Sequence, residues 1–320
     1  MSMSATPAAP IGAPDARLQL APGLSATVRV PASTANLGPG FDCLGLALGL
    51  YDEVTVTVTD GGVTVEATGE GADAVPRDGS HLVARAVIRG LEFAGVSAPG
   101  LHLRCANVIP HSRGLGSSAT AVVGGLAAAS ELLAADGRRA GLGESELVQL
   151  SGEFEGHPDN AAASVLGGAV VTWMDGHDGY FARRLELHPD IVATAFVPEI
   201  ESSTHVTRGL LPHSVPRADA VFNLSRTALV VVALTDDPSC LFDATQDRLH
   251  QGYRAPALPE TTGLIADLRE RGHAATVSGA GPSVVVLGTE RLGEAEATLA
   301  ADHGFTMTPL PIGVGVARHT

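Results

Sequence analysis

Apolar and polar residues alternate along Ala26–Val30, Glu53–Thr59 and Val63–Ala67, which is the period of a strand with one face buried. The last two flank Gly61-Gly62 and are predicted to pair as a hairpin. Over His81–Phe93 the period lengthens, and Leu82, Ala86, Ile88 and Leu91 predict a core-facing helix. Leu101–Cys105 predicts another strand, ending near Val108. The Ala-rich stretch that follows it, up to Ala134, is long enough for about five helical turns. A helix is expected over Glu144–Glu155, another with Pro158 at its first position, and a strand over Val170–Trp173.

Composition breaks at Asp175–Tyr180, so a domain boundary is expected between Trp173 and Leu187. Beyond it, Ile191–Val197 predicts a buried strand, and Arg208 falls on a short helix. Ala218–Leu234, Asp247–Arg254 and Thr261–Arg271 read as helical runs. Strands at Ala274–Val277 and Val284–Leu287 enclose a glycine turn, before an Ala/Glu-rich helix from Arg291 and a strand within Thr306–Val316. The expected class is α+β, with a loose tail over 1–23, a first domain over 24–180 and a second over 181–320.

Composition narrows the function. Hydrophobic residues make up 45% of the 320 and charged residues 17%, as in a globular protein. The formal charge of −15 argues against nucleic acid or an anionic membrane as partner. Cys43, Cys105 and Cys240 are widely spaced and odd in number, which argues against a disulfide framework or zinc site and fits a reducing compartment. The first 22 residues lack the basic and apolar regions of a signal peptide, and the apolar runs are broken well short of a membrane span. A soluble cytoplasmic protein is expected.

Four polar segments broken by Gly or Pro interrupt this pattern: Ser33–Asp42, Pro110–Thr120, Gly156–Asn160 and Ser278–Ser283. In the second, a strand enters a loop with Gly114, Gly116, Ser117 and Ser118 and then a helix start, the order that builds an anion site. The chain contains no lysine, so a Walker-A loop is impossible. Phosphates would have to be held by backbone N–H groups, Ser hydroxyls, arginine and a metal. In the first segment Asn36 and Asp42 flank Gly38-Pro39-Gly40, and in the third His157, Asp159 and Asn160 gather at a helix start. Capping accounts for each turn taken singly. Four in one chain are harder to dismiss.

Their order and wording resemble the GHMP kinase superfamily over about residues 24 to 316. P-x-S-x-A-N-L-G-P-G-F-D-C-L-G, P-H-S-R-G-L-G-S-S-A-T, E-G-H-P-D-N and S-G-A-G-P-S carry the likeness, and the first is closest to the homoserine kinases. The resemblance implies a ribosomal S5 domain 2-like N-terminal domain and a ferredoxin-like C-terminal domain. It also implies transfer of the ATP γ-phosphoryl group to the side-chain hydroxyl of L-homoserine, with Mg²⁺, in a homodimer. By the same resemblance Pro110, His111, Ser112, Arg113, Gly114, Leu115, Gly116, Ser117, Ser118, Ala119 and Thr120 wrap the triphosphate, with Arg113 supplying charge. Ser118 and Glu155 would serve the metal, and His81 would lie near the adenine, where many relatives have Asn.

Homoserine carries charges of both signs, so Asp42 is the expected ammonium partner, and Arg208 and Arg254 are expected at the carboxylate. Asn36 and Asn160 would orient the hydroxyl, and Asp159 and Arg208 are the candidate catalytic residues. Whether Asp159 acts as a base stays open, because a loose transition state needs no early deprotonation. His102, His205, His213, His250 and His273 show no ligand spacing and read as surface or ordinary core residues. Two rival functions are another GHMP alcohol kinase and a nucleotide-binding regulator without turnover. A purely structural protein would not explain the recurring polar glycine turns.

Overall fold

The computed structural model describes residues 18–137, 140–177, 179–202 and 207–318. Two β-sheets, each covered by helices, make up the chain. The larger contains β1 (Ser25–Asn36), β2 (Gly40–Thr59), β3 (Gly62–Gly69), β4 (Gly100–Asn107), β5 (Ala169–Met174) and β6 (Tyr180–Arg184). Its path runs β1-β2-β4-β3, with β5 joining β2 and β6 joining β5. The expected hairpin of Glu53–Thr59 with Val63–Ala67 is not there. β4 lies between those strands, antiparallel to β2 and parallel to β3. Its Leu101, Leu103 and Cys105 are buried, so two partners cover it better than an edge would. The Gly61 turn presses onto Gly100, where a Cβ would come within 2.4 Å of Gly61.

Helices α1 (Leu82–Phe93), α2 (Ser117–Asp136), α3 (Glu144–Glu155) and α4 (Asp159–Leu166) accompany this sheet. α2 is the central one: Val122, Val123, Leu126, Leu132 and Leu133 are fully buried in the core shared with the strands. Part of the expected tail is ordered, since Leu20 is 2% exposed and its N–H donates to the Ser97 carbonyl at 2.9 Å.

The second sheet holds β7 (Val192–Pro198), β8 (Ala274–Val277), β9 (Val284–Gly288) and β10 (Phe305–Leu310) in the order β10-β7-β9-β8, all antiparallel. Numbered along the chain, that is the 4-1-3-2 order of a ferredoxin-like sheet. The helices of this half are α5 (Arg217–Thr235), α6 (Leu241–Ala244), α7 (Gln251–Arg254), α8 (Pro259–Glu270) and α9 (Glu294–Asp302). Asp247–Arg254 contains only one helical turn, because the Asp247 carboxylate accepts the N–H groups of Leu249, His250 and Gln251 and folds the approach into a cap. After β10 the chain returns to the first sheet, where β11 (Ala317–Arg318) pairs with β1.

Two helices differ from the expected absence of span-length apolar runs: α2 and α5 each reach a hydropathy of 1.4 over a window long enough to cross a bilayer. α2 is a core helix, with 72% of its window buried. α5 has only 22% of its window buried, leaving Val221, Leu224 and Val232 exposed.

Candidate active site

The ends of β1, β2, α2, α4 and α7 converge with the Ser278–Ser283 turn on one cavity of about 490 Å³. Hydrogen bonds knit the polar segments together around it. Ser33 N–H donates to the Leu115 carbonyl, Gly279 N–H to Ala35 and Ser283 N–H to Arg113, at 3.1 to 3.2 Å. The Ser278 hydroxyl donates to the Gly114 carbonyl at 2.6 Å. Gly114 and Gly116 hold φ values of 78° and 74°, and Cβ atoms there would meet Ser278 O at 2.4 Å and Ser33 Oγ at 2.1 Å. Only glycine lets the loop lie this close to its supports.

Gly116 caps α2 with no side-chain bond, so the first-turn N–H groups beyond it remain open for a ligand, and Ser117 and Ser118 line the cavity there. Ser118 donates its hydroxyl to Glu155 Oε1 at 2.6 Å, bringing these two expected metal ligands into contact. Not all of the loop faces the cavity. Pro110 is absent from the wall, and Leu115, 1% exposed, is a core residue beneath it. Thr120 turns its hydroxyl to the Pro31 carbonyl at 3.1 Å. Arg113 departs from its expected place over phosphate. Its Nε donates to the Pro198 carbonyl at 3.0 Å, its Nη2 to that of Glu199, and its Nη1 to the His111 carbonyl at 2.7 Å and Glu201 at 3.2 Å. It is a strut between the loop and the end of β7.

One wall is more apolar, with Val54, Val75, Pro76 and Leu82 beside His81. His81 caps α1 by accepting the Val83 N–H on Nδ1 at 3.2 Å, and burial, with Arg77 and His111 nearby, lowers its pKa. The ring is therefore neutral and carries its proton on Nε2. Asp52, which the sequence reading passed over, accepts the N–H groups of Val108 and Ile109 at 2.6 and 2.9 Å and sets the entry of the loop. Burial raises its pKa, against the pull of those two hydrogen bonds.

At the opposite end, Asp42 and Arg208 form a two-pronged pair, Nη1 to Oδ2 at 2.9 Å and Nη2 to Oδ1 at 2.7 Å. The hydrogen bond and charge of Asp42 raise the Arg208 pKa against the opposing effect of burial. Arg254, 1% exposed, is held by the carbonyls of Thr207 and Gly279 and by His250. Burial, with Arg208 close by, lowers its pKa. Phe41 lies beneath both guanidinium groups, 5.4 Å from Arg208 and 5.6 Å from Arg254. Asn36 acts on the loop itself: its amide donates to the Gly279 carbonyl at 2.8 Å and accepts the Asp42 N–H at 3.1 Å. Asp42 carries a φ of 55°, so that hydrogen bond supports a left-handed backbone position.

Asp159, 1% exposed, starts α4 beside Asp42, with an oxygen of each carboxylate and a His157 ring nitrogen all within 4.8 Å of one another. Its Oδ1 accepts the Asn160 N–H at 2.7 Å and contacts His157 Nδ1 at 2.9 Å. Burial pulls the His157 pKa down, but the hydrogen bond and charge of Asp159 carry it above the ordinary histidine value. Asn160 Oδ1 accepts from Ser33 at 3.1 Å. Burial, reinforced by Asp159 and Asp42, pushes the Cys43 thiol up to about 11, which keeps it protonated at neutral pH. The set combines an open helix N-terminus behind a glycine loop, a paired hydroxyl and carboxylate at Ser118 and Glu155, the buried carboxylates of Asp52 and Asp159, and a pocket carrying both signs of charge. That is what phosphoryl transfer to a zwitterionic alcohol requires.

Of the residues expected at the site, all but Pro110 and Leu115 line the cavity. Phe41, Asp52 and His250 were missed: a single anchor in a strand or just ahead of a one-turn helix leaves no spacing signal. His205 lies outside the described residues.

The fold and this site define a kinase of the GHMP class. The family model for the GHMP kinases N terminal domain matches residues 81–168, and that for the GHMP kinases C terminal matches 234–302. Among relatives, a homoserine kinase of Rhodococcus erythropolis is 60% identical over 304 residues, covering 93% of this chain and 97% of its own. One of Mycolicibacterium vanbaalenii is 57% identical, covering 93% and 96%. The crystal structure of homoserine kinase from Cytophaga hutchinsonii superposes with a TM-score of 0.82 at 25% identity, over 92% of this chain and 98% of that one. A mevalonate diphosphate decarboxylase from Staphylococcus aureus, 16% identical with a TM-score of 0.63 over 92% and 98%, shares the fold. The chain belongs to the homoserine kinase family.

Proposed function

We propose that this protein transfers the γ-phosphoryl group of ATP to the side-chain hydroxyl of L-homoserine, a step toward threonine in the cytoplasm. The observation that carries this reading is a single cavity with an open helix N-terminus and glycine loop at one end and Asp42, Arg208 and Arg254 at the other. Backbone N–H groups at Ser117, Ser118 and Ala119 receive the phosphates, and the His81 wall receives the base. Asp42 binds the ammonium, Arg208 and Arg254 bind the carboxylate, and Asn160 faces the hydroxyl. Asn36 fixes the Asp42 backbone. Asp159 takes the hydroxyl proton.

Ser118 and Glu155 meet at the loop with hard oxygen atoms, a donor set suited to Mg²⁺ beside phosphate. Bound there, Mg²⁺ would offset charge on the phosphate oxygens. ADP release would be followed with ATP–Mg²⁺ and L-homoserine, L-serine, L-threonine, mevalonate or galactose offered separately. Turnover confined largely to homoserine, and abolished by chelation of the metal, is expected. Robust turnover on another alcohol would sink the substrate assignment, and ATP binding without turnover would favour the regulator.

The chain divides into a first domain over 24–180 and a second over 181–320, with β6 straddling the division and β11 returning to the first sheet. The exposed face of α5 supports a homodimer. Val221, Leu224 and Val232 form an apolar stripe along it. Exposed Arg217 opens the helix and exposed Asp236 and Asp237 follow its end, so an antiparallel second copy places opposite charges together. Leu224→Arg is expected to convert the dimer to monomer in light scattering without altering the melting temperature by more than a few degrees. A monomeric wild type would refute this interface.

A further inference from the structure

His250 lies outside the resemblance motifs, yet it is fully buried and in contact with both halves of the substrate pocket. Its Nδ1 is 3.1 Å from Arg254 Nη1, and a guanidinium N–H can only donate, so Nδ1 is the acceptor. The ring proton then sits on Nε2, which is 2.7 Å from the Gly38 carbonyl and donates to it. Both contacts select the same neutral tautomer. Adding a proton would set two donors against each other at Arg254. The ring also packs against Phe41, with centroids 5.4 Å apart.

The surroundings repeat the design. Asn223 and Thr227 on α5 donate to the Pro39 carbonyl at 3.2 and 3.0 Å. Asp247 accepts from the Asn223 amide at 2.8 Å and from the N–H of His250 at 3.0 Å. Gly38 admits this close packing, since a Cβ there would meet Thr245 O at 2.4 Å. The turn that presents Asp42 is thus gripped from the second half of the chain, and His250 joins that grip to Arg254 by a side chain, as the Gly279 carbonyl does from the backbone by accepting from both Asn36 and Arg254.

We infer that His250 is a positioning residue for L-homoserine, locking Arg254 and the Gly38–Asp42 turn at a fixed separation so that carboxylate and ammonium are bound together. This rests on the homoserine kinase reading above. The imidazole is not part of the cavity wall and acts through Arg254 and Gly38.

Two conservative variants separate its bonds. His250→Asn keeps an acceptor near Nδ1 for Arg254, and His250→Gln keeps a donor near Nε2 for Gly38. KM for L-homoserine is expected to rise about tenfold or more in His250→Gln and less in His250→Asn, with KM for ATP unchanged in both. Equal rises in the two KM values, or no rise for homoserine in either variant, would overturn the inference. Ring ¹⁵N shifts of the wild type give a reading that does not depend on turnover. The Nε2–H form at neutral pH is expected, and an Nδ1–H or doubly protonated ring would overturn the positioning role even if the enzyme phosphorylates homoserine. A wild type inactive on homoserine with the Nε2–H form intact would overturn the substrate reading, and with it the role of His250 toward that substrate.

Discussion

Asp42→Asn is expected to raise KM for L-homoserine about 100-fold while KM for ATP stays within about twofold. Without ligand, Asp42 and Arg208 satisfy one another through two short hydrogen bonds. The side chains are 28% and 40% exposed, so the pair is wet and parting it costs little, on the order of 1 kcal/mol. In the proposed pocket an α-amino acid would bring an ammonium for Asp42 and a carboxylate for Arg208, replacing one ion pair with two. A substrate lacking either charge breaks the pair and leaves one member without a partner. Removing the Asp42 charge should therefore weaken homoserine binding twice, by losing the ammonium contact and by freeing Arg208 over Phe41 without its counter-charge. A comparable loss is expected with wild type and homoserine amide, which lacks the carboxylate. Steady-state kinetics on both axes decides the matter. An Asp42→Asn enzyme with normal homoserine KM, or with ATP affected equally, would remove Asp42 from the ammonium site.

Much of this arrangement is legible in the sequence because glycine and proline punctuate it where the backbone must approach a neighbour. The helices at Glu144–Glu155 and Leu82–Phe93 are visible from period alone, as their buried residues recur on one face. Pairing is another matter. Nothing local tells Glu53–Thr59 that its partner lies past α1, and the Gly61-Gly62 turn suits an adjacent hairpin equally well. The buried face of β4 decides the order, and it is read only from the assembled sheet. Residue type is a similar guide at the site. Arg113 sits in the glycine loop by sequence, but its side chain is long enough to reach the end of β7 and the residues after it, where the Pro198 and Glu199 carbonyls and the Glu201 carboxylate accept from it. With no lysine in the chain and Arg113 so engaged, the proposed phosphate site rests on the backbone N–H groups at the start of α2. His250 looked ordinary because its work depends on Gly38, over two hundred residues earlier in the chain.

Asp159→Asn is expected to lower kcat by about 10²- to 10⁴-fold with both KM values little changed. Asparagine keeps the shape, and its carbonyl oxygen can still accept the Asn160 N–H, so the first turn of α4 should survive. It cannot take a proton. The His157 contact also changes character, because a neutral amide replaces the carboxylate whose hydrogen bond and charge raise the His157 pKa. Loss of orientation through His157 would fall on homoserine binding as well as on rate, since His157 lines the same end of the cavity. His157→Gln run in parallel separates these effects: a large kcat loss confined to Asp159→Asn marks proton acceptance by the carboxylate. A kcat loss under about tenfold would instead mean that the hydroxyl proton passes directly to the transferred phosphoryl group, as a loose transition state permits. Asp159 would then serve to place His157 and Asn160, and catalysis here would rest on positioning and charge alone.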